Sequence, residues 1–152
     1  MSTPAPSVRP LRPADREAWQ ALWDGYLRFY REDLDPHVTD VTFGRLCAGE
    51  DAMFGLVAVD GEDRPVGFAH ALLHGSTWSP AGYCYLEDLF VGPAARGGAA
   101  GRALIDATAA EARRRGATKL YWHTQSYNGR ARSLYDQAGA LSSQVVYERE
   151  LG

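Results

Sequence analysis

Arg96-Gly97-Gly98-Ala99-Ala100-Gly101 joins two runs of opposite character. Before it, Tyr85 to Val91 is mostly apolar and reads as a buried strand. After it, Arg102-Ala103-Leu104-Ile105-Asp106-Ala107 opens a long alanine-rich helix. Strand, glycine-rich turn and helix make an arrangement suited to an anion. Small residues let a ligand approach the backbone, and the first-turn N–H groups have no partners inside the helix. Those donors and the positive end of the helix dipole attract negative charge. Arg96 and Arg102 add planar forks that match phosphate. The stretch therefore predicts a pyrophosphate-bearing ligand, although such a loop alone is also consistent with a tight connection in which glycines only turn the chain.

The flanking motifs separate the two readings. Upstream stands Tyr85-Leu86-Glu87-Asp88-Leu89-Phe90-Val91, and downstream comes Asn128-Gly129-Arg130-Ala131-Arg132-Ser133-Leu134-Tyr135-Asp136-Gln137-Ala138-Gly139. The ordered set Y-L-E-D-L-F-V, R-G-x-x-x-G-x-x-L and N-x-x-A-x-x-L-Y-x-x-x-G resembles the GNAT family of acyl-CoA-dependent N-acyltransferases. Residues 83 to 147 carry most of the resemblance, and the Y-L-E-D segment is most similar to the branch holding polyamine and histone acetyltransferases. One position departs from the family loop: Ala99 stands where a glycine is usual. Its methyl group is expected to matter if that residue needs a positive φ or lies against a phosphate.

The resemblance implies an α+β single-domain fold: a mixed, mostly antiparallel sheet with a splayed parallel central pair and helices on both faces. It implies acetyl-CoA as cosubstrate, no metal, and a primary amine acceptor such as a polyamine, an amino acid or a lysine side chain. The acetyl-CoA contacts expected are Leu89, Phe90 and Val91 on the strand, the run Arg96, Gly97, Gly98, Ala99, Ala100, Gly101 and Arg102, and then Asn128 and Tyr135. Tyr135 is the expected acid for the departing thiolate. Glu87 is the expected base, and Asp88 the anchor for a cationic amine. Tyr30 and Asp33 follow as acceptor contacts, because the end of the first helix lines the acceptor site in the family. A homodimer is expected. The alternative reading is a non-catalytic acyl-CoA-binding or sensing module, which the joint presence of Tyr135 and Glu87-Asp88 disfavours.

The residues themselves set conditions on this picture. Glu87 and Asp88 are costly in an apolar strand unless partnered. Adjacent positions point to opposite faces, so both reach one site only if the strand bulges between them. Acyl transfer from a thioester to an amine needs a base, because an alkyl ammonium has a pKa near 10 and only the neutral amine attacks.

Composition agrees with one domain, expected over residues 7–152 after a short tail at 1–6. The chain has 152 residues, 45% hydrophobic, enough for a real core. A net charge of −3 argues against a general nucleic-acid binder. No apolar run reaches the ~20 residues a bilayer requires, and the first residues lack the basic start and apolar middle of a signal peptide. Cys47 and Cys84 show neither a disulfide framework nor metal spacing, so a cytoplasmic location is expected.

The remaining elements follow from periodicity and breakers. Val8 to Arg12 reads as a strand, and Pro13-Ala14-Asp15 opens a helix whose inward face is Trp19, Leu22, Trp23, Tyr26, Leu27 and Tyr30. Asp35-Pro36 ends it, and a second helix is expected over Val38 to Cys47, capped by Thr39 or Asp40. Phe54 to Val59 and Val66 to Leu73 form a hairpin around Asp60-Gly61-Glu62-Asp63, with His70 and His74 assigned ordinary packing or surface roles. Ser76 to Gly82 is an expected loop, and Tyr83 to Val91 the central strand. A helix over Ala99 to Arg115 is stopped by Gly116. Lys119 to Thr124 is the next strand, Asn128 caps a helix to Ala138, and Gln144 to Tyr147 closes the sheet.

Overall fold

A computed structural model describes residues 6–152, so residues 1–5 of the expected tail lie outside the described residues. In chain order it contains β1 (Ser7–Pro10), a 3-10 turn at Pro13–Asp15 leading into α1 (Arg16–Phe29), α2 (Pro36–Ala48), β2 (Met53–Val59), β3 (Pro65–Ser76), β4 (Ser79–Val91), α3 (Ala100–Arg114), β5 (Leu120–Tyr121) and α4 (Gly129–Ala138). The strands lie in one sheet in sequential order, with β1 to β4 antiparallel and β5 parallel to β4. A parallel neighbour cannot be reached by a tight turn, and α3 supplies the crossover. The fold is the single-domain α+β arrangement expected.

Alternation along the strands divides the core in two. Leu56, Ala69, Ala71, Cys84 and Leu86 face Leu104, Ile105 and Ala112 of α3. Val57, Val59, Phe68 and Phe90 face Trp19 and Trp23 of α1 and Phe43 and Leu46 of α2. Trp19 is 0% exposed, stacked on Trp23 and tilted against Phe43. The aromatic stripe read from the sequence is thus the α1-side core.

Four boundaries differ from expectation. α2 begins at Pro36, and its cap is Asp35, whose side chain accepts from the His37 N–H at 2.8 Å. Proline suits the first helical turn because its missing N–H is not needed there. Thr39 is instead buried, accepting from Trp23 Nε1–H at 3.2 Å. The expected loop at 76–82 is mostly strand, because β3 and β4 pair out to Ser76 and Ser79 and leave Trp78 exposed at a tight tip. β5 is cut to Leu120–Tyr121. The expected closing strand at Gln144–Tyr147 does not form, and Tyr147 is 93% exposed. An extended segment becomes a strand only when something pairs with it.

Candidate active site

The site begins with the way β4 parts from both neighbours. β4 and β5 pair at Cys84–Leu120 and Tyr85–Tyr121, and beyond these β4 has no partner on that edge among the described residues. On the other edge Asp88 pairs with His70 and Leu86 with Ala71, so Glu87 is the extra residue of a bulge. Hydrogen bonding gives an independent count. The Cys84 N–H bonds Lys119 O on the β5 side, whereas the Gly92 N–H bonds Val66 O on the β3 side. Eight residues apart in a regular strand, both would point the same way. The one inserted residue reverses the alternation, leaving the Leu89 and Val91 N–H groups directed at the gap between β4 and β5. It also gives Glu87 and Asp88 the same face, the condition for both to reach one site.

A cleft of about 390 Å³ opens at this gap, lined by Leu89, Phe90 and Val91 of β4, by the loop before α3 and by α4. The N-terminus of α3 has no side-chain cap, and its first intrahelical bond runs from Ala103 N–H to Ala99 O. The earlier N–H groups are therefore available to an anion. Gly97 takes the left-handed conformation, φ +85°, with open space around the position a Cβ would occupy. Arg96 is anchored by Nε–H to Val91 O at 2.9 Å, with its guanidinium 5.2 Å above the Phe90 ring. Arg102 is tied to Asp106 one turn along α3. Uncapped N–H groups, a glycine-lined approach and two arginines fit the pyrophosphate of acetyl-CoA.

Ala99 does not strain this loop. Its φ is −94°, and the positive φ belongs to Gly97. Ala99 and Ala100 do not line the cleft, and Ala100 is 3% exposed within the α3-side core. Arg96, Gly97, Gly98, Gly101 and Arg102 do line it, and so do Asn128, Tyr135 and Tyr30. Asn128 Oδ1 accepts from Ala131 N–H at 3.3 Å, capping α4 and leaving its NH₂ for a ligand. The Tyr135 ring meets Trp122 edge-on at 5.6 Å. Burial first, and then nearby Tyr30, raise the Tyr135 pKa, so its hydroxyl keeps its proton.

Glu87 and Asp88 lie off the cleft and differ from one another. Glu87 is exposed at the bulge. Partial loss of solvent around its carboxylate first, then the Asp88 charge, raises its pKa. Both oxygens of Asp88 are occupied internally: Tyr26 Oη–H donates to Oδ1 at 2.7 Å, and His70 Nδ1 lies 2.9 Å from Oδ2. Each Asp88 oxygen thus already has one internal partner and the side chain is only 16% exposed, which favours a holding role over the expected role as an anchor for the amine. Asp33 is exposed and outside the cleft. The sequence reading missed Tyr26, which joins the cleft wall to Asp88. The signal was there: a tyrosine on an inward helix face brings a hydroxyl that needs a partner.

Nearby, Tyr85 and Tyr121 stack at 5.0 Å across the last β4–β5 pair, and Tyr85 Oη lies 3.2 Å from His123 Nδ1. Among the described residues no cluster of histidine, cysteine and acidic side chains could hold a metal ion, and no helix is long and apolar enough to cross a membrane.

Comparison with known proteins meets this geometry. Residues 18–140 match the Acetyltransferase (GNAT) family. The chain is 35% identical to the D-amino-acid N-acetyltransferase HPA3 of Saccharomyces cerevisiae, covering 93% of this chain and 89% of that protein. It is 33% identical to the aminoglycoside N(6')-acetyltransferase type 1 of Stenotrophomonas maltophilia, covering 98% and 95%. The crystal structure of the ribosomal-protein-alanine N-acetyltransferase of Brucella melitensis superposes with a TM-score of 0.80 at 22% identity, over 97% and 100% of the two chains, a likeness of fold. None of these three names a polyamine or a histone, so the finer branch drawn from Y-L-E-D is not carried by them. A bulged, splayed central strand beside an uncapped helix, together with a match spanning most of the chain, establishes that this protein belongs to the GNAT acetyltransferase family and is an acetyl-CoA-dependent N-acetyltransferase.

Proposed function

We propose that this enzyme acetylates the primary amine of a small, cationic molecule, by direct attack within a ternary complex. The observation that carries the reading is the gap between β4 and β5, with the phosphate-binding loop at one end and the exposed carboxylate of Glu87 on the strand that borders it. An exposed acidic group favours a protonated amine on approach. The two curated relatives are named for a D-amino acid and an aminoglycoside, both amine-bearing small molecules, which supports this class over a protein lysine.

Glu87 accepts the proton that the ammonium must lose, directly or through water, and its raised pKa makes it a better base than an ordinary carboxylate. The amine nitrogen then bonds to the thioester carbonyl carbon. The Leu89 N–H, aimed into the gap, stabilises the oxyanion. As the carbon–sulfur bond breaks, Tyr135 gives its proton to the thiolate; the acylated nitrogen sheds its remaining excess proton to water, and solvent reprotonates the tyrosinate. No covalent enzyme intermediate is needed. Cys84 is a poor nucleophile in any case, since burial pushes its thiol up to about 11.

The enzyme is also proposed to be a homodimer of the cytoplasm. The unpaired segment at 144–147 and the open edge of β5 support the first; two free cysteines support the second. The acceptor is tested by thiol release from acetyl-CoA with a panel of amino acids, aminoglycosides, polyamines and lysine peptides. Turnover of the small cationic amines at rates well above the peptides is expected. Turnover confined to lysine peptides contradicts the proposal.

A further inference from the structure

The α1-side core contains a buried polar chain that the steps above leave unused. Trp19 Nε1–H donates to His70 Nε2 at 3.0 Å. An indole nitrogen can only donate, so Nε2 of His70 carries a lone pair and its proton sits on Nδ1. His70 Nδ1–H therefore donates to Asp88 Oδ2, and Tyr26 Oη–H to Asp88 Oδ1. The first link thus fixes the direction of the second, and Tyr26 closes the chain as a hydroxyl donor to the carboxylate. The ring has no room to turn. His70 is 2% exposed, stacks on Phe68 at 4.3 Å and 8°, and lies 5.9 and 5.5 Å from the Trp19 and Trp23 rings.

This chain is fastened at the bulge. Asp88 faces His70 in the sheet register, and Glu87 is the residue inserted immediately before that pair. A slip of one residue would carry the Asp88 side chain to the other face. It would also strand the buried His70 N–H and remove the acceptor of Tyr26, a cost that well-satisfied neighbours make unavoidable. The register of β4 is thereby pinned where the strand would otherwise be free to realign.

We propose that the Trp19–His70–Asp88–Tyr26 chain is the positioning element of this active site, holding the β4 bulge so that Glu87 is presented to the acceptor and the Leu89 N–H to the β4–β5 gap. The inference rests on the reading of Glu87 as base and Leu89 as oxyanion donor. Asp88 is then a positioning residue that touches no substrate. It has a second effect through its charge. The groups facing Glu87 are Asp88 and Tyr85 on β4, His70 on β3 and Tyr26 on α1. Burial raises the pKa of both tyrosines, and among these groups the Asp88 charge is the one that raises Glu87, while His70 acts on it in the opposite sense.

Two substitutions at Asp88 separate its parts. Asp88→Asn preserves the chain, since its Oδ1 can accept from His70 and its NH₂ can donate to the Tyr26 oxygen, but it removes the charge. Asp88→Ala cuts both links. Asp88→Asn is expected to keep kcat within about threefold on the pH plateau, while the acid limb of kcat/KM moves to lower pH as Glu87 loses its like-charged neighbour. Asp88→Ala is expected to lower kcat at least about tenfold with the acetyl-CoA Kd changed less than about threefold. Should Asp88→Ala fail to fold, Tyr26→Phe cuts one link and keeps the ring, with a smaller fall in kcat expected. An equal rise in acceptor KM for both Asp88 variants, with the acid limb unmoved, makes Asp88 a substrate contact and overturns the proposal. Wild-type kcat in Asp88→Ala, or in a substituted Tyr26→Phe, also overturns it.

The underlying base assignment is judged separately, by whether Glu87→Gln abolishes the wild-type acid limb. If the limb survives, the positioning claim still stands or falls by nitrogen NMR of the His70 ring. A ring carrying its proton at Nδ1 is expected from the Trp19 bond to Nε2, with the Leu89 amide signal moving when Asp88→Ala breaks the chain. A ring protonated at Nε2, or a Leu89 signal indifferent to Asp88→Ala, overturns it.

Discussion

On the α1 side of the sheet, Trp19, Phe68 and Val57 are fully enclosed, and a histidine and an aspartate are each bonded to named partners. On the β5 side, α4 buries no residue outright, and Leu120, Tyr121, Trp122, Leu134 and Tyr135 are all half-buried. Past α4 the chain runs exposed to its end, with Leu141, Val145, Val146, Tyr147 and Leu151 open to solvent. The first region is finished by its own sequence. The second holds the cleft proposed to take acetyl-CoA and the exposed apolar segment proposed to pack in the dimer. One strand, β4, borders both regions. The bulge transmits the rigidity of the first to the geometry of the second.

The largest effect should come from breaking the finished side. Trp19→Ala removes a fully buried indole and the donor to His70 Nε2, and should cost about 3–5 kcal/mol. The same truncation at Leu134, half-buried on α4, should cost only about 1 kcal/mol. Urea unfolding of the two variants measures the contrast directly, and equal losses would erase it.

Next in size is the unfinished side. Removing residues 140–152 should convert the proposed dimer to monomer in light scattering at micromolar concentration, with little loss in the unfolding free energy of the isolated chain, because every residue of that segment is exposed. A wild type that is already monomeric at that concentration would refute the dimer.

The smallest effects concern the loop before α3. Gly97→Ala forces a methyl group into a left-handed conformation and should weaken acetyl-CoA binding and stability by about 1 kcal/mol. Ala99→Gly should leave acetyl-CoA binding unchanged within about 0.5 kcal/mol, because φ at Ala99 is already negative. Calorimetry that shows tighter binding for Ala99→Gly would restore the idea that the methyl group strains the turn.

Legibility in the sequence followed the range of the forces involved. The strand–loop–helix around Arg96 to Gly101 and the aromatic face of α1 are local patterns, and both were readable. The bulge was readable only as a condition: two adjacent acids in an apolar strand reach one site only if the strand bulges between them, and the family resemblance favoured that. What could not be read was which acid would be taken inward. That depended on His70, eighteen residues away, and Tyr26, sixty-two residues away, meeting Asp88 across the sheet. Nor could the strand at 144–147 be settled by its β-forming residues, since pairing depends on a neighbour that local sequence does not specify. The short β5 has the same cause: the splay that makes the cleft removes the partner that would have extended it.

The central claim is acetyl transfer in the β4–β5 cleft with Tyr135 as proton donor, and Tyr135→Phe tests it most directly. The substitution keeps the ring and its edge-on contact with Trp122, so loss through packing should be small. General acid catalysis contributes about a hundredfold or more. In an assay where chemistry limits the rate, kcat should fall by at least that order while acetyl-CoA affinity changes only a few-fold. A variant with wild-type kcat under the same conditions would return Tyr135 to a packing role and contradict the account.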